Sequence, residues 1–292
     1  MNATLVVGTR DGAPDVAGRA RSRASAWTGP LALRAGVAGY LMLLVGLPVA
    51  VLVWRGLADG PAAFRAALSD ATAIDALSLS LWTSALAAVV NGVMGTAIAW
   101  ALVRWRIPGR RLLAALVDLP LAIPTLVAGI LLVALFGPQS SVGSWFVGHG
   151  FPVAFARPGI VLALLFVTLP FVVRAVEPVL AELDPAEEEA ALTLGAGRLT
   201  TFLRVLLPPV LPAIAAGVVQ TFARSVAEFG SLAAVSGNIP HRTLTAPVYI
   251  LGEVEAGNPG GAASVSLVLL VLALTLQPFA GWLARRAGGT RG

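Results

Sequence analysis

The chain has 292 residues, of which 57% are hydrophobic and only 12% are charged. Because soluble domains carry about 25% charged residues, this composition excludes an ordinary soluble protein and indicates one that is embedded in lipid. The net charge is +5 with arginine as the only basic side chain apart from histidine, and the absence of cysteine excludes disulfides, thiolate nucleophiles and cysteine metal sites.

The first 32 residues are mostly small, polar and basic, and they lack the continuous apolar core of a secretory signal. We therefore expect a disordered cytoplasmic tail over 1–32 rather than a cleaved leader. At the other end of the chain, a second cytoplasmic tail is predicted over 285–292.

Six apolar stretches lie between these tails. A helix needs about 20 mostly apolar residues to cross a hydrocarbon layer about 30 Å thick. The stretches are continuous and lack the alternation of a membrane barrel, so they predict helices and an all-α polytopic membrane protein. The predicted spans are 33–54, 76–103, 112–136, 159–180, 210–235 and 263–283.

The placement of arginine predicts the orientation of the spans. Cytoplasmic segments of membrane proteins carry an excess of positive residues. Fourteen arginines lie in or next to the two tails and the loops after the second and fourth spans, whereas four lie on the other side. Both termini are therefore predicted to be cytoplasmic. Because these arginines cluster beside apolar segments, they do not indicate a nucleic-acid-binding surface.

The loop between the fourth and fifth spans, 184–208, carries the densest run of carboxylates. Asp184 followed by Pro185 is a favourable helix start, and the glutamates in the next turns suit the positive end of a helix dipole. Gly195 interrupts the apolar face and permits a change of direction, so a short helix, a turn and a second helix leading to Pro208 are predicted. The apolar face consists of Ala190, Ala191, Leu194, Leu199, Phe202 and Leu203.

Residues 189–208 resemble the EAA loop of permease subunits in binding-protein-dependent ABC importers. The family pattern is E-A-A, three residues, G, nine residues, I, one residue and L-P; Val205 replaces the isoleucine here. In that family the loop helix docks into a groove of the ATPase subunit. The resemblance therefore implies a set of ATPase-coupling residues, which are Glu187, Glu188, Glu189, Ala190, Ala191, Gly195 and Pro208.

Three longer stretches, 91–129, 169–196 and 222–240, are similar to the sulfate/thiosulfate branch of that family. The resemblance covers about residues 35–285 and implies the type I (MetI-like) permease fold over a membrane domain 33–284. It also implies a place in the bacterial cytoplasmic (inner) membrane and several partners. These are a second homologous permease subunit in a heterodimer, an ATP-binding-cassette ATPase dimer and an extracytoplasmic sulfate-binding protein.

Two alternatives stay open. A molybdate or tungstate importer permease shares several phrases, notably the Arg-x-x-x-Glu-Phe-Gly form at 224–230, but it usually has one span fewer. A secondary anion transporter without an ATPase would be expected to show an internal hydropathy repeat, and none is visible.

The chain has no G-x-x-x-x-G-K-[ST] and no lysine, so it cannot hydrolyse ATP by that chemistry. No catalytic residue, cofactor or metal is expected.

Four charged residues in the spans are candidates for the translocation path or a gate. A charge at mid-membrane depth costs about 3 kcal/mol, so each needs a partner or an aqueous lining. Arg224 and Glu228 are predicted to share one helical face, as a polar element near the path or as a buried pair that fixes packing. Arg174 either attracts a dianion at the inner mouth or bridges to a neighbouring helix. Asp118 either belongs to a proline kink, which is the favoured interpretation, or is a partner of Arg174.

Two further features complete the prediction. Asn91, Gly92 and Gly95 in the second span indicate close approach between helices. The turn 236–240 and the following His241 and Arg242 are predicted to lie outside, where a substrate-delivering protein would dock, and we expect this turn to be solvated.

Overall fold

The computed structural model describes residues 33–105 and 107–288, and every regular element in these two ranges is helical. The tail predicted over 1–32, Arg106 and residues 289–292 lie outside the described residues. The helices are α1 (Leu33–Leu57), α2 (Gly60–Ser69), α3 (Ala71–Arg104), α4 (Arg110–Ala122), α5 (Thr125–Phe136), α6 (Ser141–Gly148), α7 (Arg157–Glu182), α8 (Pro185–Thr193), α9 (Arg198–Val226), α10 (Gly230–Val235), α11 (Ala246–Glu255) and α12 (Pro259–Gly288).

Five of these helices, α1, α3, α7, α9 and α12, are long and apolar enough to cross a membrane, and the bent pair α4–α5 makes a sixth span if it is counted as one. The predicted all-α architecture is confirmed. The chain up to Leu52 and the chain from Val53 onward form separate compact units. The packing described below belongs to the second unit.

Helices α3, α7 and α9 form the centre of this unit. They approach closely because small residues face larger ones: a Cβ added to Gly92 would lie 2.7 Å from Val218, and one added to Gly95 would lie 2.8 Å from Val172. Buried Asn91 donates to the Leu165 carbonyl oxygen at 3.1 Å and to Thr168 Oγ1 at 3.0 Å. The predicted close approach at this part of the second span is confirmed.

The third predicted span, 112–136, is not one helix. The chain bends by 110° between helices α4 and α5. Ile123 precedes Pro124 and adopts an extended backbone (φ −88°, ψ 129°), as expected because the proline ring disfavours the helical conformation of the residue before it. Pro120 within α4 removes a further amide donor. The kink predicted near Asp118 is therefore a complete break.

The fifth predicted span, 210–235, is displaced. Helix α9 begins at Arg198, and the chain leaves the helix after Val226 before the short α10 begins at Gly230. A π-helical turn, Phe202–Leu206, precedes Pro208. Pro208 has no amide hydrogen to donate to the preceding turn. The wider hydrogen bonding of the π-helical turn accommodates this loss, so the helix continues past the proline. The apolar stretch and the loop helix before it are thus one element.

The two interruptions pack against each other. Helices α5 and α10 are in contact. A Cβ on Gly129 would lie 2.5 Å from the Ser231 carbonyl oxygen, and a Cβ on Gly230 would lie 2.8 Å from the Leu126 amide nitrogen. Both neighbours are backbone atoms, so only glycine fits at these two positions.

The central bundle has two distinct ends. At the loop end, the 184–208 loop lies beside the C-termini of α3 and α7. At the far end, α7 begins at Arg157, and His241 contacts Asp75 near the start of α3. Helix α12 extends to Gly288, so the tail predicted from residue 285 begins within a helix. The buried cluster at the loop end contains Ala99, Leu102, Val172, Val173, Val176, Leu180, Leu183, Leu206 and Val210.

Candidate functional site

Helix α8 begins where the Asp184–Pro185 pair predicts. Asp184 is the N-cap, and its Oδ1 accepts a hydrogen bond from the Ala186 amide at 2.9 Å. Pro185 occupies the start of the helix, where its missing amide costs nothing. Glu187 and Glu188 lie in the first turn, where the carboxylates interact favourably with the exposed amides of the helix terminus.

Helix α8 ends in a turn that requires a left-handed backbone conformation at Gly195. Its φ is +85°, its amide donates to the Leu192 carbonyl, and the Ala196 amide donates to the Ala191 carbonyl, both at 3.0 Å. This pair of bonds is the Schellman motif, in which glycine at C′ satisfies the last carbonyls of the helix. The chain then changes direction before α9, as predicted from the glycine at this position.

The apolar face of this loop is largely uncovered. Leu194 is 89% exposed and Leu199 is 71% exposed, and Leu203 is exposed as well. Ala190 is exposed, Ala191 is half-buried, and Pro208 is exposed within α9. Uncovered apolar side chains next to charged ones are typical of a surface that binds another protein.

Arg104 joins α3 to the loop helix. Its Nη1 lies 3.3 Å from Glu188 Oε2, and its guanidinium lies 5.7 Å from the centre of the Trp100 ring. The Trp100 ring in turn meets Phe202 edge-on, with 5.2 Å between the ring centres. Sequence reasoning treated Arg104 only as an orientation signal. Its partner lies 84 residues away, and no periodicity in one sequence connects positions so far apart.

Two more ion pairs connect α4 to α7. Arg110 Nη2 lies 3.5 Å from Glu177 Oε1, and Arg174 Nε lies 2.9 Å from Asp118 Oδ1. Both roles considered for Asp118 are seen in the structure, because the chain breaks after α4 and the carboxylate contacts Arg174. Arg174 therefore bridges to a neighbouring helix, and its attraction of a dianion stays a prediction.

The Arg224–Glu228 pair forms, although not on one helix. Helix α9 ends at Val226, so Glu228 lies in the break before α10, with its carboxylate 2.6 Å from Arg224 Nη1. The Glu228 side chain is only 1% exposed, whereas that of Arg224 is 32% exposed. The other carboxylate oxygen accepts from the Ser231 amide and hydroxyl, both at 3.0 Å.

The structure therefore distributes the candidate residues over three places. Glu188 joins Arg104 at the loop end, the Arg174–Asp118 pair joins α7 to α4, and the Arg224–Glu228 pair lies at the opposite end of α9. Among the described residues, no group of histidine and carboxylate side chains is placed to hold a metal ion.

We expect Glu188→Gln to lower the free energy of unfolding by up to about 1 kcal/mol, because it removes the charge that Arg104 faces. Glu187→Gln is the matched control, since Glu187 is exposed on the same turn of α8. Thermal unfolding of the purified variants in detergent measures both. A larger loss for Glu187→Gln would contradict the assigned partner, and added salt should shrink the Glu188 effect.

Comparison with known proteins identifies the family. Residues 91–289, well over half of the chain, match the model of the binding-protein-dependent transport system inner membrane component family. The chain belongs to this family. As a member it is a multi-pass inner-membrane transport protein and is not catalytic by itself.

Individual relatives in this family cover most of the chain. It is 41% identical over 263 residues to the probable sulfate transport system permease protein cysT of Nephroselmis olivacea, covering 90% of this chain and 91% of the relative. It is 38% identical over 237 residues to the sulfate transport system permease protein CysT of Escherichia coli (strain K12), covering 81% and 86% of the two chains.

A solved structure supports the fold of this family member. One chain of a bacterial alginate ABC transporter, in complex with an alginate pentasaccharide-bound periplasmic protein, matches with a TM-score of 0.74. The match covers 91% of this chain and 96% of that chain at 19% sequence identity. The shared architecture is that of ABC importer permeases, the type I (MetI-like) fold that the resemblance implied.

Proposed function

We propose that the chain is the permease subunit of an ATP-binding-cassette importer that carries sulfate or thiosulfate across the cytoplasmic membrane. The observation that carries the proposal is its identity of 38–41% to sulfate transport system permease proteins over 81–90% of this chain and 83–91% of those relatives. ATP hydrolysis occurs in a separate ATPase dimer. A second, homologous permease chain completes the pathway, and an extracytoplasmic binding protein delivers the anion.

In this assembly the loop end faces the cytoplasm, as do both termini. Arg104 ends α3, Arg110 and Arg111 begin α4, and Arg198 and Arg204 lie at the start of α9. This excess of positive residues supports the orientation. The far end, with Arg157 and the turn 236–240, then faces the binding protein.

The 184–208 loop docks on the ATPase. Its exposed leucines Leu194 and Leu199 supply apolar area, and the exposed carboxylates of Glu187 and Glu189 flank them. The Glu188–Arg104 pair and the Trp100–Phe202 contact connect the loop to α3 and α9. A displacement of α8 by the ATPase is thereby passed to two central helices of the membrane domain.

The path itself holds the anion only weakly. Arg174 and Arg224, the two arginines predicted to lie inside spans, each face a carboxylate. A paired guanidinium offers a dianion little net attraction, since the partner carboxylate repels it. Arg174, Asp118, Arg224 and Glu228 therefore act as neutral polar elements near the path or its gates. High-affinity capture is left to the binding protein.

Anion uptake in a strain that lacks its own sulfate permease tests the function. The wild-type chain, expressed with its partner subunits, is expected to restore uptake of radiolabelled sulfate. Restored uptake of molybdate without sulfate would instead support a molybdate importer. Sulfate uptake that persists when the ATPase subunit is deleted would support a secondary transporter and overturn the proposal.

A further inference from the structure

Two cavities open at the far end of the membrane domain, and they differ in charge. The larger cavity, about 870 Å³, is lined by four carboxylates and by no arginine. Tyr249 also lines it, and burial together with nearby carboxylates raises its pKa to about 12, so this phenol stays neutral at physiological pH. A dianion is repelled from this cavity. Its carboxylates belong to Asp59, Asp70, Glu253 and Glu255.

The smaller cavity, about 80 Å³, is basic. It is lined by Arg157, Arg242 and His241 and shares one wall residue, Leu244, with the larger cavity. Its volume equals that of about two or three water molecules, taken at about 30 Å³ each. It is far below the roughly 300 Å³ of pockets that hold drug-sized molecules. Only a small ion fits.

The backbone at this cavity is held in one conformation. Arg157 Nε donates to the Arg242 carbonyl oxygen at 3.1 Å, which joins the start of α7 to the turn before α11. Within that turn, Thr243 Oγ1 accepts from the Ile239 amide at 3.1 Å, and His241 is fixed at a φ of +60°. The two arginines therefore approach the cavity from a preformed frame, which limits the entropy lost when a ligand binds.

The positive charge at this cavity exceeds the negative charge. Asp75 also lines it, with its carboxylate 2.8 Å from His241 Nδ1, so that two guanidinium groups face one carboxylate. Within the described part of the chain, neither Arg157 nor Arg242 has a carboxylate at ion-pair distance, in contrast to Arg174 and Arg224. In addition, Arg157 is the first residue of the 26-residue helix α7, whose dipole adds positive potential at this end.

We propose that Arg157 and Arg242 form a receiving site for a small tetrahedral oxyanion, which the anion enters when the binding protein releases it. This inference rests on the proposed function. The planar guanidinium fork matches two oxygens of such an anion, and two forks hold it without a metal ion. The acidic cavity beyond Leu244 disfavours escape of the anion in that direction.

Import by purified complexes in proteoliposomes tests this site. Arg157→Gln and Arg242→Gln are each expected to lower the maximal import rate about tenfold, the effect of one lost charge-assisted contact. The concentration of liganded binding protein that gives half of the maximal rate should not change. Arg65→Gln is the matched control, because Arg65 is exposed on α2 and does not line the small cavity.

Three outcomes would overturn the receiving site. If the half-saturating concentration rises while the maximal rate is kept, the arginines bind the binding protein itself. If the maximal import rate is unchanged, the two arginines bind neither the anion nor the binding protein. If Arg65→Gln lowers the maximal rate equally, the effect does not arise at the small cavity. Arg242→Lys keeps the positive charge but loses the planar guanidinium group. Its maximal import rate should lie between those of wild type and Arg242→Gln.

The same series with molybdate separates this inference from the proposed function. Molybdate is also a tetrahedral oxyanion, so wild-type import of molybdate without sulfate overturns the sulfate assignment alone. The receiving site is then tested by comparing the maximal molybdate import rates of the Arg157 and Arg242 variants with that of wild type. If the wild-type and Arg65→Gln complexes import neither anion, the proposed function and the receiving site both fail.

Discussion

Gly195→Val should reduce anion import at least tenfold while the chain still inserts in the membrane. Gly195 has a φ of +85°, and a β-branched residue is strongly disfavoured there. The change acts through the backbone and not through a clash, because a Cβ at this position would meet nothing within 4 Å. Loss of the left-handed turn breaks the two hydrogen bonds that end α8 and reorients this helix, which we propose docks on the ATPase.

Gly197→Val is the matched control for this prediction. Gly197 lies two residues further along the same turn, and a Cβ on it also meets nothing within 4 Å. Its backbone is extended (φ −69°, ψ 157°), a conformation that valine adopts readily. Import and ATPase activity are measured together with the amount of chain in the membrane. Equal losses in the two variants would mean that the turn geometry is not what couples the subunits.

The second large effect concerns the pair at the end of α9. Arg224→Met is expected to destabilise the chain by about 3 kcal/mol or more, because it leaves the 1% exposed carboxylate of Glu228 without a counter-charge. Glu228→Gln should cost less, since the Arg224 side chain is 32% exposed and its charge remains partly solvated. The amide also preserves an acceptor for Ser231.

The double variant Arg224→Met/Glu228→Gln decides whether the two side chains act as a pair. It should be more stable than Arg224→Met alone, because no uncompensated charge remains buried. Thermal unfolding of the purified chain in detergent gives the three values, with Arg65→Met as an exposed control. Strictly additive losses would show that the 2.6 Å contact contributes no coupling energy.

Uniform apolar runs were predictable from the sequence, and interrupted ones were not. The predicted spans 76–103, 159–180 and 263–283 lie inside α3, α7 and α12 because hydropathy there is continuous. The breaks at Pro124 and after Val226 occur within the predicted spans 112–136 and 210–235, which are interrupted by charged residues but are apolar enough overall to predict one helix each. Proline chemistry accounts for the first break. The second depends on contacts between α5 and α10 that one sequence does not contain.

The loop was likewise predictable in outline but not in its contacts. Asp184, Pro185 and Gly195 specify a capped helix and a left-handed turn by local rules, which the structure follows. Local rules do not say which of three adjacent glutamates meets Arg104, because that choice depends on how α8 is rotated against α3. The Asp118–Arg174 contact joins residues 56 positions apart in the chain, and the sequence could not decide between it and a simple kink for the same reason.

The glycines where α5 meets α10 have a mechanical consequence. With backbone against backbone at Gly129 and Gly230, no side chain separates the two short helices. We therefore expect α5 and α10 to move together, so that a displacement of α8 that reaches α10 through α9 also changes the angle between α4 and α5.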